Sequence, residues 1–286
     1  MIHTLTNTTL DSLVVDPSLV EHLENGAILY LPNLPFTLLA SEQDLLSADI
    51  MPLKAKNISY DPRNQTLKAF EPHHAHYVKL TAMLQRYSEF AAKLLAKTVP
   101  HYTQALAIAR TSYRPVEIAG RMAKSYRKDD SRLHIDAFPA SPNQGQQLLR
   151  VFSNVHPHHQ PRVWRVGEAF PEVVKHFKNN LRLPLPFVNP LLHALHITRT
   201  LRTPYDSLML QLHDVMKADS QYQDHVAQQC LELTGSWIVF TDQVSHAAMR
   251  GQYCLEQTFM LPSCARKNPD ASPLHVLQRQ MGRALV

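Results

Sequence analysis

Hydrophobic positions along the chain follow two different periods. In YVKLTAMLQRYSEFAAKLLAK, residues 77–97, Val78, Leu80, Met83, Leu84, Tyr87, Phe90, Leu94 and Leu95 recur every three or four positions. That spacing predicts one amphipathic helix. A second helix is expected after Pro100. Beyond it the period shortens. Stretches 113–119, 132–138, 147–155 and 162–166 read as strands divided by Pro, Asn and Gly turns. Further short strands are expected at 27–30 and 50–53. Residues 171–229 form a helical insert, and strands return at 237–241, 246–249 and 253–261. In the tail, Leu274, Leu277, Met281 and Leu285 share one stripe beside Arg279 and Arg283. This stripe can pack on the core or lie on an anionic membrane, and packing is the commoner fate.

The order of these elements predicts an α+β fold with a jelly-roll (double-stranded β-helix) core. The whole chain, 1–286, reads as one domain. Residues 1–110 are expected to be mostly helical and to pack on the core. Residues 111–262 form the core with its insert, and 263–286 the tail. A chain of 286 residues with 44% hydrophobic positions can bury a sizeable core. Cys230, Cys254 and Cys264 form no CxxC pair, as in a reducing compartment. The first ten residues lack the charged and apolar regions of a secretory signal, and no apolar run reaches membrane-spanning length. A cytoplasmic location is expected. The net charge of +5 suits an anionic partner, but no basic run interleaved with aromatics points to nucleic acid.

The candidate chemistry begins at RLHIDAFPA, residues 132–140. On a strand, His134 and Asp136 point to the same face. His246 opens a later strand after the apolar run Trp237–Phe240. Two histidines and one carboxylate form the facial triad of non-heme Fe(II) oxygenases. Such a triad leaves three metal positions open, two for a bidentate 2-oxo acid and one for O₂. The far carboxylate of the 2-oxo acid needs a cation. The last strand often supplies one, but 255–257 holds none. Arg150, among apolar neighbours in QQLLRVFSNV, is the preferred candidate, with Arg250 the second.

Taken together, RLHIDAFPASPNQGQQLLRVFSNVHP, PRVWRVGEAF, LQLHDVMKADSQYQ and SWIVFTDQVSHAAMRGQYCLEQTF resemble the Kdo 3-hydroxylases of Gram-negative bacteria. Kdo is 3-deoxy-D-manno-oct-2-ulosonic acid, the sugar linking lipid A to the lipopolysaccharide core. The resemblance covers roughly residues 110–262 and extends to the tail. It implies an enzyme using Fe(II), 2-oxoglutarate and O₂ to hydroxylate carbon 3 of a Kdo residue on Kdo-lipid A, giving Ko. It further implies His134, Asp136 and His246 as iron ligands and Arg150 at the co-substrate. For the anionic substrate, Arg114, Arg121, Arg127, Arg162 and Arg165 are candidates. A peripheral contact with the inner face of the inner membrane would follow from a lipid-linked substrate.

Three rival readings stay open. One is an oxygenase of another substrate. Another is a zinc hydrolase with Glu168 or Glu256 as base, and the last is a sugar-binding jelly roll. His213 and Asp214, adjacent on a helix, read as a salt-linked surface without a catalytic role. The clusters His73, His74, His76 and His156, His158, His159 read as loop histidines.

Overall fold

Among the described residues, eleven strands form two sheets. The computed structural model describes residues 2–51, 57–68, 70–226 and 228–286. The strands are β1 (Ile2–Thr4), β2 (Ile28–Leu31), β3 (Ile58–Asp61), β4 (Thr66–Lys68), β5 (Ala107–Arg114), β6 (Gln147–Asn154), β7 (Arg162–Val166), β8 (Gln229–Leu233), β9 (Ser236–Phe240), β10 (His246–Arg250) and β11 (Cys254–Leu261). The large sheet runs β1-β2-β9-β6-β11-β5-β3-β4, and the small one β10-β7-β8. All pairings are antiparallel except β1 with β2.

The sandwich interior draws on both sheets. Phe152, Trp237, Val239 and Cys254 come from the large one, and Trp164, Val166, Leu231, Leu233 and Ala248 from the small one. Trp237 stacks on Phe152 at 5.2 Å, and Trp164 meets both edge-on. Such aromatic contacts add to simple area burial.

Among the described residues, seven α-helices accompany the sheets: α1 (Ser18–Glu24), α2 (Tyr77–Thr98), α3 (Phe170–Phe177), α4 (Val188–Ala194), α5 (Pro204–Ala218), α6 (Ser220–His225) and α7 (Pro273–Met281). Helix α2 is the one that the periodicity predicts. It buries Leu80, Met83, Leu84, Tyr87, Ala91, Leu94 and Leu95. Its Tyr87 hydroxyl donates to the Val151 carbonyl at 2.9 Å, which ties the helix to β6. Helices α3, α5 and α7 share a second core with Leu133 and Ile135. The tail therefore packs, with Leu274 and Leu277 buried.

Several elements differ from the sequence reading. The first 110 residues are not mostly helical, because β1 to β4 and the first half of β5 lie there. The helix expected after Pro100 is a single 3-10 turn, Pro100–Tyr102. The strand expected at 113–119 runs earlier and stops at Arg114, since Pro115 has no N–H to donate. Of the strand expected at 50–53, Ile50 closes a 3-10 turn and 52–53 lie outside the described residues. Strand β8 falls at the end of the expected insert.

Residues 132–138 form no ladder. They make one bridge, His134 with His246, in which each N–H donates to the other's carbonyl at 3.0 and 2.8 Å. The Asp136 N–H then turns to the Thr241 carbonyl. On the other edge Gln223 takes the place of a strand, accepting from the Leu133 N–H and donating to its carbonyl.

Candidate metal centre

That single bridge brings the triad together. It places His134 and His246 opposite one another, while the two-residue period carries Asp136 to the same side. One ligand atom from each of the three lies within 4.8 Å of the others. His134 Nε2 is 3.8 Å from Asp136 Oδ1, and the imidazole centroids are 4.8 Å apart.

Each imidazole is oriented from behind. His134 Nδ1–H donates to the Arg132 carbonyl at 2.7 Å, and His246 Nδ1–H to the Val244 carbonyl at 2.8 Å. These bonds select the tautomer that leaves Nε2 with its lone pair, the form a metal needs. Trp164 stacks on His246 at 4.9 Å and 20°. Burial holds both imidazoles below their ordinary pKa, His134 well below, so both stay neutral near pH 7. Burial would raise the Asp136 carboxyl, but Arg150 and then the two histidines hold it below the usual carboxylate range. Two neutral imidazoles and an ionised carboxylate are ligand-ready. The donor set fits a divalent ion such as Fe(II), and no described thiol lies beside it.

Two cavities meet at these ligands, since His134 and Asp136 line both. The inner one is narrow, about 80 Å³, and includes Arg114, Arg150, Arg162, Trp164 and Glu256. Arg150 Nη1 pairs with Asp136 at 2.9 Å and Glu256 at 3.2 Å. Arg114 binds the other Glu256 oxygen at 2.7 Å. Arg162 is only 4% exposed and has no carboxylate within ion-pair distance among the described residues. Its Nη1 makes one long hydrogen bond, 3.4 Å, to the Gly251 carbonyl. Arg150 Nε, Arg162 Nε and Trp164 Nε1 are buried donors without an acceptor among the described residues. Donors buried and unmatched cost free energy unless an anion meets them. Gly251 makes the arrangement possible. At φ 128° it takes a conformation that suits glycine, and a Cβ there would lie 2.9 Å from Arg162 Cα.

The outer cavity, about 750 Å³, is open and basic. Its lining includes Arg121, Lys124, Arg127, Lys128, Phe138 and His213. Arg121 donates to the Val116 and Glu117 carbonyls, and Arg127 Nε binds Asp214 at 2.8 Å.

The sequence-predicted cations thus separate. Arg114 and Arg162, expected at the substrate, line the inner cavity with Arg150. Arg121 and Arg127 line the outer one. Arg165 leaves the site: it lies on the opposite face of β7 and donates to the Ser131 carbonyl. Arg250 is exposed, faces Glu232 at 3.9 Å and lines neither cavity. Glu256, a candidate base for a hydrolase, is bound by two arginines. Glu168 lines a separate cavity.

His213 is the residue that adjacency to Asp214 hid. Its ring stands edge-on to His134 at 5.5 Å, and its Nδ1 is 3.0 Å from Asp214. Helix α5 aims it at the ligands, which spacing along the chain does not show.

The sequence matches the family model of 3-deoxy-D-manno-oct-2-ulosonic acid (Kdo) hydroxylase over residues 11–284. No curated protein matches it. Among solved structures, it is similar to the Kdo hydroxylase KdoO, a non-heme Fe(II) alphaketoglutarate dependent dioxygenase. In the complex with alphaketoglutarate and Fe(III), the identity is 43% and the TM-score 0.95, covering 100% of this chain and 97% of that one. The cobalt(II) complex gives 44% and 0.96, and the apo structure 44% and 0.95, with the same coverage. With a match along nearly its whole length, the chain belongs to the Kdo hydroxylase family.

Proposed function

We propose that this chain is an Fe(II)- and 2-oxoglutarate-dependent dioxygenase that hydroxylates carbon 3 of a Kdo sugar on Kdo-lipid A, giving Ko. Its place would be the cytoplasm, at the inner face of the inner membrane. The observation that carries the reading is the inner cavity: Arg150, Arg162 and Trp164, which line it beside the ligand-ready triad, each keep a buried N–H without an acceptor among the described residues. Charge supports it as well. Arg114, Arg150 and Arg162 face Asp130, Asp136 and Glu256 in that cavity, so its lining is balanced. A divalent ion adds two positive charges, which a dicarboxylate such as 2-oxoglutarate cancels.

His134, Asp136 and His246 would hold the iron. Bound iron supplies O₂ activation coupled to decarboxylation of 2-oxoglutarate, so that substrate C–H, O₂ and 2-oxoglutarate become C–OH, succinate and CO₂. The remaining work belongs to the chain. Arg162, with Arg150 Nε and Trp164 Nε1, grips the co-substrate carboxylate and fixes its orientation. Arg114 holds Glu256, which keeps Arg150 in place. Trp164 keeps His246 from turning. The outer cavity admits the sugar, and Arg121, Arg127, Lys124 and Lys128 offer positive charge to its carboxylate and neighbouring phosphates.

The test is turnover under defined conditions. Protein loaded anaerobically with Fe(II) and 2-oxoglutarate should release succinate on admitting O₂, faster with Kdo-lipid A, which gains the mass of one oxygen. His134→Ala should abolish both. Succinate release that ignores Kdo-lipid A, with no change in its mass, would reject the substrate.

A further inference from the structure

The insert between α3 and α5 breaks the rule that large apolar side chains lie inside. Within nineteen residues it exposes Leu183, Leu185, Phe187, Val188, Leu191, Leu195, Ile197 and Leu201, with Leu185 72% and Phe187 83% exposed. Along α4, Val188, Leu191 and the following Leu195 form a stripe at helical spacing, and the stripe faces outward. None of these residues belongs to a core cluster. An exposed patch of this kind on a folded surface marks a binding face.

The insert is nevertheless held firmly. Asn189 and Thr198 are buried. The Arg182 N–H donates to Gln211 Oε1, and Gln211 Nε2 to the Arg182 carbonyl, both at 2.8 Å. At the far end, the Arg199 N–H donates to the Ala140 carbonyl and Arg202 to the Pro139 carbonyl. Pro139 and Phe138 line the outer cavity, as does Leu210, next to Gln211. The apolar face is therefore tethered at both ends to the cavity wall. Exposed Met122 and Tyr126 lie in the segment that supplies the cavity's basic residues.

Charge identifies the occupant. Between Glu172 and Asp206 the chain carries Lys175, Lys178, Arg182, Arg199 and Arg202 and no acidic residue. Two copies meeting on this face would oppose like charges. An anionic bilayer takes up the apolar side chains and neutralises the flanking cations together. We infer that residues 181–202 dock this protein on an anionic lipid bilayer and set the outer cavity at its surface. The inference rests on the proposed lipid-linked substrate for its purpose, though not for its test. It also moves the membrane contact from the tail, whose apolar stripe is packed, to the insert.

Vesicle sedimentation reads it directly. The full-length protein should bind phosphatidylcholine vesicles that contain phosphatidylglycerol, bind them less at high salt, and bind pure phosphatidylcholine weakly. Phe187→Ser with Leu191→Ser should lower that partition about tenfold or more, given what a buried apolar side chain contributes. A gentler probe is Phe187→Trp. Trp164 and Trp237, the only native tryptophans, are buried, so a vesicle-dependent change in emission that wild type lacks comes from the new indole. Its emission should shift to the blue on anionic vesicles and be quenched by brominated acyl chains. The double variant should also keep its rate on a deacylated, water-soluble Kdo substrate while losing about tenfold on vesicle-embedded Kdo-lipid A. Vesicle binding without turnover of either substrate would support the docking face and reject the hydroxylase reading. Partition unchanged by the double variant, or a native dimer that the variant splits, would overturn the docking face.

Discussion

Arg162 is the residue on which the inner cavity turns. Its guanidinium is buried, burial pulls its pKa below the ordinary value, and no described carboxylate pairs with it. Hydrogen bonds to charged groups contribute about 1.5–3 kcal/mol, so Arg162→Met should raise the KM for 2-oxoglutarate about ten- to a hundredfold. Fe(II) affinity, read by calorimetry, should stay near wild type. An unchanged KM would remove Arg162 from the co-substrate site. His213 lines the outer cavity instead. His213→Gln should lower kcat on the sugar substrate by about tenfold or more, within the range for a lost polar group at a reacting centre. The KM for 2-oxoglutarate should not follow, and steady-state assays varying each substrate separate the two.

At the scale of elements, the turn joining β10 and β11 sets the geometry of β7. Gly251→Ala places a methyl group against Arg162 Cα and Cγ, both 2.9 Å away, in a conformation that alanine resists. The expected outcome is weaker 2-oxoglutarate binding together with a loss of about 1–3 kcal/mol in stability. Titration and denaturant unfolding would show both, and a stability loss with normal binding would contradict the coupling. Helix α2 lines neither cavity at the triad. Leu84 is fully buried among Tyr87, Tyr113 and Leu255, so Leu84→Ala should cost about 2–5 kcal/mol. The co-substrate KM of the folded fraction should be unaffected.

For the whole molecule, one buried acid gives stability a pH dependence. Burial pushes the Asp242 carboxyl up from 3.8 to about 7. The folded state therefore keeps a proton that the unfolded chain releases. Between about pH 4 and 7 the folded state binds more protons, so this group makes stability fall as pH rises, with the full cost present above about pH 7. The span corresponds to at most about 4 kcal/mol. Asp242→Asn should raise Tm at pH 8 and change it little at pH 4. A Tm gain equal at both values would show that the carboxyl does not titrate in this range.

Much of this protein is legible in order along the chain. The period of Leu80, Leu84, Tyr87 and Leu95 determines α2, because one helix face must leave water. The alternation in β7 and the apolar run in β9 determine two strands of the sandwich. HxD with a later histidine is legible too, since a two-residue period puts both side chains on one face. What tertiary structure decided lies in contacts between distant segments. The bridge from His134 to His246, the side-chain support from Gln223 and the stack of Trp164 on His246 join residues far apart in sequence. The same holds for the cations. Sequence ranks Arg150 ahead of Arg250 and offers Arg114, Arg162 and Arg165 for the substrate, but it does not show what any of them pairs with. Glu256 engages Arg114 and Arg150, and the Ser131 carbonyl takes Arg165. Arg250 is exposed beside Glu232, and buried Arg162 lines the cavity at the triad. Local pattern determines which way a side chain faces; only the fold determines what it faces.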